Sequence, residues 1–437
     1  KIALVSSLFL AVSPWNVVLS RASAETIIAL FLILFGFYFI LKQFEGYSSK
    51  RLIFGALLLI VSFFFYHTPR VFVPLFFFTA LLYFSNDLLR KKTKIKIGII
   101  ASFLVLCIIS FSLIFLFKGG TGRFSQVNIF GFPETRLVLE EQLREDGSVH
   151  APLFETRVVH NKIVNYSHTF FSNYFDYFTG NFLFTKGGLP IWYLVDRVGV
   201  LLLVEAPFLL YGIYALAKSR DKFSKIPILW ILVAPVTAAI TVDDIPNIQR
   251  SIVLFPMLEI IAATGVVSFL IFVSRIKYPL IGARMKYFVF TLLILLLTYN
   301  VYYFLHQYYV HGKAHRTWYR NNGFSEMMKI VNKNYNRYDK IIMTKTGGGY
   351  PLVLFYSKYD PKLYLKEGSP KDADYKGFGK YIFVPNECPS INVSVNLPKG
   401  TKALFVDRGT CELPNKKLRK YTEIFREDGS LGFRVVY

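Results

Sequence analysis

The feature that most constrains this chain is a recurrence of long apolar stretches, several near the roughly 20 residues that a helix needs to cross a hydrocarbon core about 30 Å thick. They occupy most of the sequence before position 306 and leave little for a water-soluble core. Composition agrees: of 437 residues 53% are hydrophobic and 17% aromatic, with a mean hydropathy of +0.40, too apolar for an ordinary soluble domain of this size. The chain therefore reads as a polytopic α-helical membrane protein. We expect about nine spans, near 2–16, 24–42, 52–66, 71–88, 97–117, 197–217, 226–242, 251–274 and 287–305.

The formal charge of +23 suits a nucleic-acid binder only if the basic residues share a folded polar face. Here many fall in short runs between apolar stretches: Lys42, Lys50 and Arg51; Arg90 to Lys96; Lys218 to Lys225; Arg275 to Lys286. That is the positive-inside pattern, and it argues against nucleic acid as a partner. If the first span leads outward, all four runs fall in inward connections. The outward pieces are then 17–23, 67–70, 118–196, 243–250 and everything after 306. Four regions follow: helices in 1–117, an extracytoplasmic loop at 118–196, helices in 197–305 and an extracytoplasmic domain at 306–437. The chain opens Lys1-Ile-Ala-Leu4 with no Met and no signal-peptide n-region, which reads as a start already lost.

The loop 118–196 mixes polar stretches with an aromatic cluster, Tyr166 to Phe178, and is expected to hold amphipathic helices lying at the membrane interface. The segment 306–437 reads as a small α/β domain. Gly323 to Val331 has helical spacing; Lys340–Thr344, Lys380–Val384 and Lys402–Asp407 are strand candidates; Glu427 to Ser430 suggests a terminal hairpin. Cys388 and Cys411 in this segment are either a disulfide, if it faces an oxidising space, or two free thiols.

Ionisable groups gather at the outer ends of the expected spans. In Ser13 to Glu25, Arg21 and Glu25 are four apart and would share a face if one helix held both; the alternative is an interfacial anchor with a local salt bridge. In Tyr66-His-Thr-Pro-Arg70, Arg70 either snorkels to a headgroup or faces a cavity and grips a phosphate. Asp243-Asp244-Ile-Pro-Asn247-Ile-Gln-Arg250 packs two carboxylates, an amide and an arginine into eight residues, suited to a phosphate or a cation or simply solvated. A metal needs more oxygen ligands than this turn offers, so neither metal nor cofactor is indicated. Thr346-Gly-Gly-Gly349 lacks a P-loop ending and reads as a turn, the Asn165 and Asn392 triplets match a common glycosylation pattern, and the histidines have no zinc spacing.

At these clusters the sequence resembles the membrane-embedded glycosyltransferases of the GT-C fold, in particular the bacterial branch related to protein O-mannosyltransferases and to the lipid A aminoarabinose transferase. The similarity lies in Ser-Pro-Trp-Asn…Ser-Arg-Ala-Ser-Ala-Glu at 13–25, Tyr-His-Thr-Pro-Arg-Val-Phe-Val-Pro-Leu at 66–75, Phe-Leu-Phe-Thr-Lys-Gly-Gly at 182–188 and Ile-Pro-Asn-Ile-Gln-Arg-Ser at 245–251. The resemblance implies a sugar carried on a polyprenyl phosphate or diphosphate, bound at the outer face of the cell membrane, and a protein, lipid or glycan acceptor. It implies Arg21, Arg70, Asn247 and Arg250 as donor-phosphate ligands, since cations that meet charge developing on a leaving phosphate lower its barrier. A carboxylate serves as general base. The family's principal acid lies in the first outward loop, and this chain is expected to begin downstream of it; Glu25, Asp243 and Asp244 remain as the acidic candidates. A transporter would instead place ionisable groups near the bilayer midplane, where few are visible, and a receptor or scaffold would use the C-terminal domain for binding.

Overall fold

The computed structural model describes residues 1–437 except 23, 116–127, 276–278, 316, 319–320, 346–348, 368–376, 393–396 and 413–419, and gives the backbone alone at 44 and 279–286. Positions 118–127 of the first long loop, the turn residues 346–348, Lys277 and the last two residues of the Asn392 triplet thus lie outside the described residues. The chain divides into two compact units, Lys1–Leu305 and His306–Tyr437.

The first unit is helical. Its chain opens with α1 (Ile2–Val12), α2 (Pro14–Arg21), α3 (Glu25–Leu41), α4 (Ser49–Phe65), α5 (Thr68–Tyr83), α6 (Ser85–Leu89) and α7 (Thr93–Phe115). Ser13 is extended and Pro14 follows at the first helical position, so α1 and α2 meet at a 54° bend. The centre is aromatic. The Trp230 indole lies 4.4 Å from the Phe76 ring and 4.8 Å from Phe72, and Phe37 packs edge-on 4.9 Å from Phe76. Close backbone crossings complete it. A Cβ on Gly265 would lie 1.9 Å from the Phe208 carbonyl oxygen, and one on Gly212 equally close to that of Ile261, so the helices Ala206–Lys218 and Phe255–Ser274 cross where only glycine fits.

Among the described residues three helices are long and apolar enough to cross a membrane, Thr93–Phe115, Ile252–Ser274 and Tyr287–Ala314, or four if the bent α1–α2 pair forms one span. In the last of them only 6% of its most apolar stretch is buried by protein, which leaves an apolar cylinder that water solvates badly. The other stretches expected to span are helical but shorter, as in Glu25–Leu41 and Thr68–Tyr83, or broken. The segment 226–242 forms Ile226–Val233 and Val236–Ala239 with Pro235 between them. The segment 197–217 departs most from expectation, because its helix starts only at Ala206. Before it the chain is irregular and leads into the single 3-10 turn Leu203–Glu205, with Val200 N donating to Phe182 O (3.3 Å) and Leu201 N to Leu183 O (2.8 Å). Gly199 permits this, since a Cβ there would strike the Leu183 backbone at 2.3 Å. A continuous apolar run does not by itself specify a helix, and here residues 198–202 are buried without forming one.

The loop 118–196 does contain helices, Pro133–Ser148, Leu153–Val159 and Lys162–Asp176. On the last, Ile163, Phe171 and Phe175 are exposed while Asn165 is buried and donates to Thr135 O at 2.7 Å, an arrangement that withholds Asn165 from glycosylation in the folded chain.

The second unit is a six-stranded sheet in the order β2-β3-β1-β4-β6-β5, formed by β1 (Lys340–Thr344), β2 (Gly377–Phe378), β3 (Tyr381–Val384), β4 (Ala403–Arg408), β5 (Tyr421–Phe425) and β6 (Leu431–Val436). β1 pairs in parallel with β3 and β4, and the remaining pairings are antiparallel. Phe324, Met327, Met328 and Val331 of the helix Phe324–Asn334 pack with Ile341 and Met343 on one face; Ile342, Val384, Phe405 and Val436 cluster on the other. Cys388 and Cys411 form a disulfide across a Cα separation of 5.6 Å. Buried Asp407 steadies the same corner by accepting from Ser390 N (2.9 Å) and Ser390 Oγ, while buried Arg434 donates to the carbonyls of Cys411 and Glu412.

Candidate functional site

The loop from Thr241 to Ser251 is held from several directions. Ile129 N donates to Ile240 O at 2.9 Å, Asn173 Nδ2 reaches Ala239 O and Thr241 O, and Leu189 N donates to Pro246 O at 2.8 Å. Tyr177, wholly buried, accepts from Asn247 N at 3.0 Å. The aromatic cluster of the 118–196 segment thus supplies the clamp on this loop. Inside the loop, Asn247 Oδ1 accepts from the backbone N–H groups of Gln249 (3.0 Å) and Arg250 (2.9 Å). Buried, and with its Oδ1 closing the turn, the Asn247 side chain braces this loop from within.

Arg250 points back across the loop. Its guanidinium donates to Thr241 Oγ1 (2.9 Å) and the Asp243 carbonyl, and pairs with the Asp243 carboxylate at 3.4 Å. Its side chain is only 15% exposed, whereas that of Asp243 is 54% exposed. Asp244 next to it is a non-glycine residue at φ +54°, a conformation that persists only where its surroundings enforce it. Burial, and secondly the charge of Asp243, push the Asp244 carboxyl above the ordinary aspartate range; Arg250 opposes them.

The turn of Arg70 joins this loop directly, because Thr68 Oγ1 donates to Arg250 O at 3.3 Å. Arg70 itself uses Nε to cap the Phe63 carbonyl at the end of α4 (2.9 Å) and lies 3.1 Å from His67 Nδ1. An arginine carries five N–H donors, so both guanidiniums retain donors beyond these bonds. The structure therefore unites Arg70, Asp243, Asp244 and Arg250 around one pair of turns.

Arg21 and Glu25 do not share a helix. α2 ends at Arg21, Ala24 is extended, and Glu25 opens α3, where a carboxylate favours the positive end of the helix dipole. The same-face pairing inferred from their spacing required one continuous helix and loses its basis.

Two acidic residues escaped attention. Glu205 and Glu259 are fully buried neighbours. Glu259 accepts from Trp15 Nε1 and Glu205 from Leu202 N, both at 3.2 Å, and among the described residues the second oxygen of each has no partner. Their signal was a single acid inside an apolar run, at 201–207 and 255–261. Among the described residues no three His, Cys, Asp or Glu are grouped to hold a metal ion.

No protein-family model matches the chain, and no curated protein matches it.

Proposed function

We propose that this chain is a membrane glycosyltransferase of GT-C type that moves a sugar from a polyprenyl phosphate or diphosphate to a protein, lipid or glycan acceptor. The observation that carries this reading is the junction of two arginine-bearing turns, Thr68 to Arg250, beside two aspartates. In the transfer, the acceptor oxygen bonds to the anomeric carbon as the carbon–oxygen bond to phosphate breaks. The electron pair leaves with the phosphate, where Arg70 and Arg250 meet the charge. Asp244 takes the acceptor proton, and Asp243 is the resting counterion that Arg250 exchanges for phosphate.

In the same proposal about nine segments span the membrane, the basic turns face the cytoplasm, and the 241–251 loop and the second unit face outward across the plasma membrane. The Cys388–Cys411 bridge supports that side, since disulfides persist in oxidising spaces. The acid limb of the pH–rate profile tests the assignment of Asp244. A base works ionised, so its raised pKa sets a limb at higher pH than an ordinary aspartate would. Removing the neighbouring charge in Asp243→Asn should move that limb to lower pH; a limb that stays in place or rises takes the base role away from Asp244.

A polytopic transporter or a binding protein without transferase activity is the second reading, and the buried Glu205–Glu259 pair favours it. The double variant Glu205→Gln/Glu259→Gln separates the two. Transfer within a few-fold of wild type supports the enzyme, and loss of substrate uptake into vesicles supports transport.

A further inference from the structure

Two basic runs, 90–96 and 218–225, are far apart in sequence and meet in the first unit. α6 carries Asp87 and delivers the chain to Arg90; the turn after the helix Ala206–Lys218 carries Arg220, Asp221 and Lys222. Lys222 Nζ reaches Asp87 Oδ2 at 2.6 Å, and the rings of Phe84 and Phe223 lie 5.0 Å apart. Between these elements opens a cavity of about 480 Å³. Its charged lining is Arg90, Lys91, Arg220 and Lys222 against Asp87 and Asp221.

Both carboxylates are committed. Asp87 holds Lys222, and Asp221 accepts from Ser224 N (2.8 Å) and Ser224 Oγ (2.6 Å) to close its own turn. Among the described residues neither Arg90 nor Arg220 forms an ion pair. The recess therefore has cationic charge in excess and two guanidiniums able to fork around phosphate oxygens. Its apolar flanks are a separate observation: Leu82 and Leu89, on the helices leading into Arg90, are 59% and 68% exposed, and Phe223 is 39% exposed. A polar cavity with uncovered leucines beside it fits an amphiphile better than a free ion.

We propose that this recess binds the phosphate of an anionic phospholipid headgroup, with Arg90 and Arg220 as its ligands and the leucine flanks against the acyl chains. The site is independent of the 241–251 loop and of the transferase reading.

The test uses the full-length protein in nanodiscs of phosphatidylcholine doped with phosphatidylglycerol, with lipid retention read by native mass spectrometry at low ionic strength. Wild type should retain phosphatidylglycerol over phosphatidylcholine. The double variant Arg90→Ala/Arg220→Ala should lose that preference, with affinity falling roughly thirtyfold for two interfacial arginines, while its melting temperature stays unchanged because both side chains are exposed. Equal phosphatidylglycerol retention by the variant would overturn the site. Displacement of the lipid by millimolar inorganic phosphate would overturn the lipid assignment in favour of a soluble phosphate.

Discussion

Arg250→Ala is expected to slow sugar transfer from a polyprenyl-phosphate donor at least about a hundredfold, the usual cost of deleting one preorganised charge-stabilising group. Under the proposed reaction the loss has two sources. The guanidinium supplies positive charge where the leaving phosphate would sit, and it ties Thr241 to the Asp243 carbonyl across the loop. Arg250→Lys separates them. Lysine keeps the charge but cannot bridge both oxygens with a planar fork, so it should recover part of the rate. Turnover of labelled donor by the full-length protein and its two variants measures both. Unchanged turnover in the alanine variant would remove Arg250 from the site.

Loss of the Cys388–Cys411 bridge carries the second large effect. It closes a loop with a sequence separation of 23, for which chain-entropy arguments give about 3 kcal/mol of stability. That is a substantial part of the stability of a small domain. The Asp407–Ser390 bonds and the reach of Arg434 to Cys411 and Glu412 lie in the same corner, so Cys388→Ser/Cys411→Ser should loosen that corner before the rest of the sheet. Hydrogen exchange on the double variant is expected to show faster exchange at Glu387–Asn392 and along β4, with the first unit unaffected. Uniform protection at wild-type level would mean that the sheet holds without the bridge.

The elements legible in the sequence are those whose signal is local. The helix Phe324–Asn334, three central strands and the terminal hairpin all fall where spacing and turn residues place them, because each carries its own periodicity or turn chemistry. The arginine-bearing turns at Arg70 and Arg250 were visible as polar clusters between apolar stretches, but their junction through Thr68 was not, since it links positions 182 residues apart. The turn-closing bonds of Asn247 have no sequence signal of their own, because an amide whose oxygen caps its own turn looks like any other amide. The irregular run before Glu205 reads as helix in sequence because an unbroken apolar run carries no periodicity to tell the two apart. The meeting of Arg90 with Arg220 had no sequence signal beyond charge, which the membrane-side rule already explained.

Binding of polyprenyl monophosphate, the product left when a polyprenyl-phosphate donor gives up its sugar, tests the central claim most directly. Full-length wild-type protein in nanodiscs should bind it saturably, Arg70→Ala and Arg250→Ala should each weaken that binding, and Arg90→Ala/Arg220→Ala should leave it intact. Binding that is absent in wild type, or equal in the Arg70 and Arg250 variants, would contradict a lipid-phosphate site at the 241–251 loop.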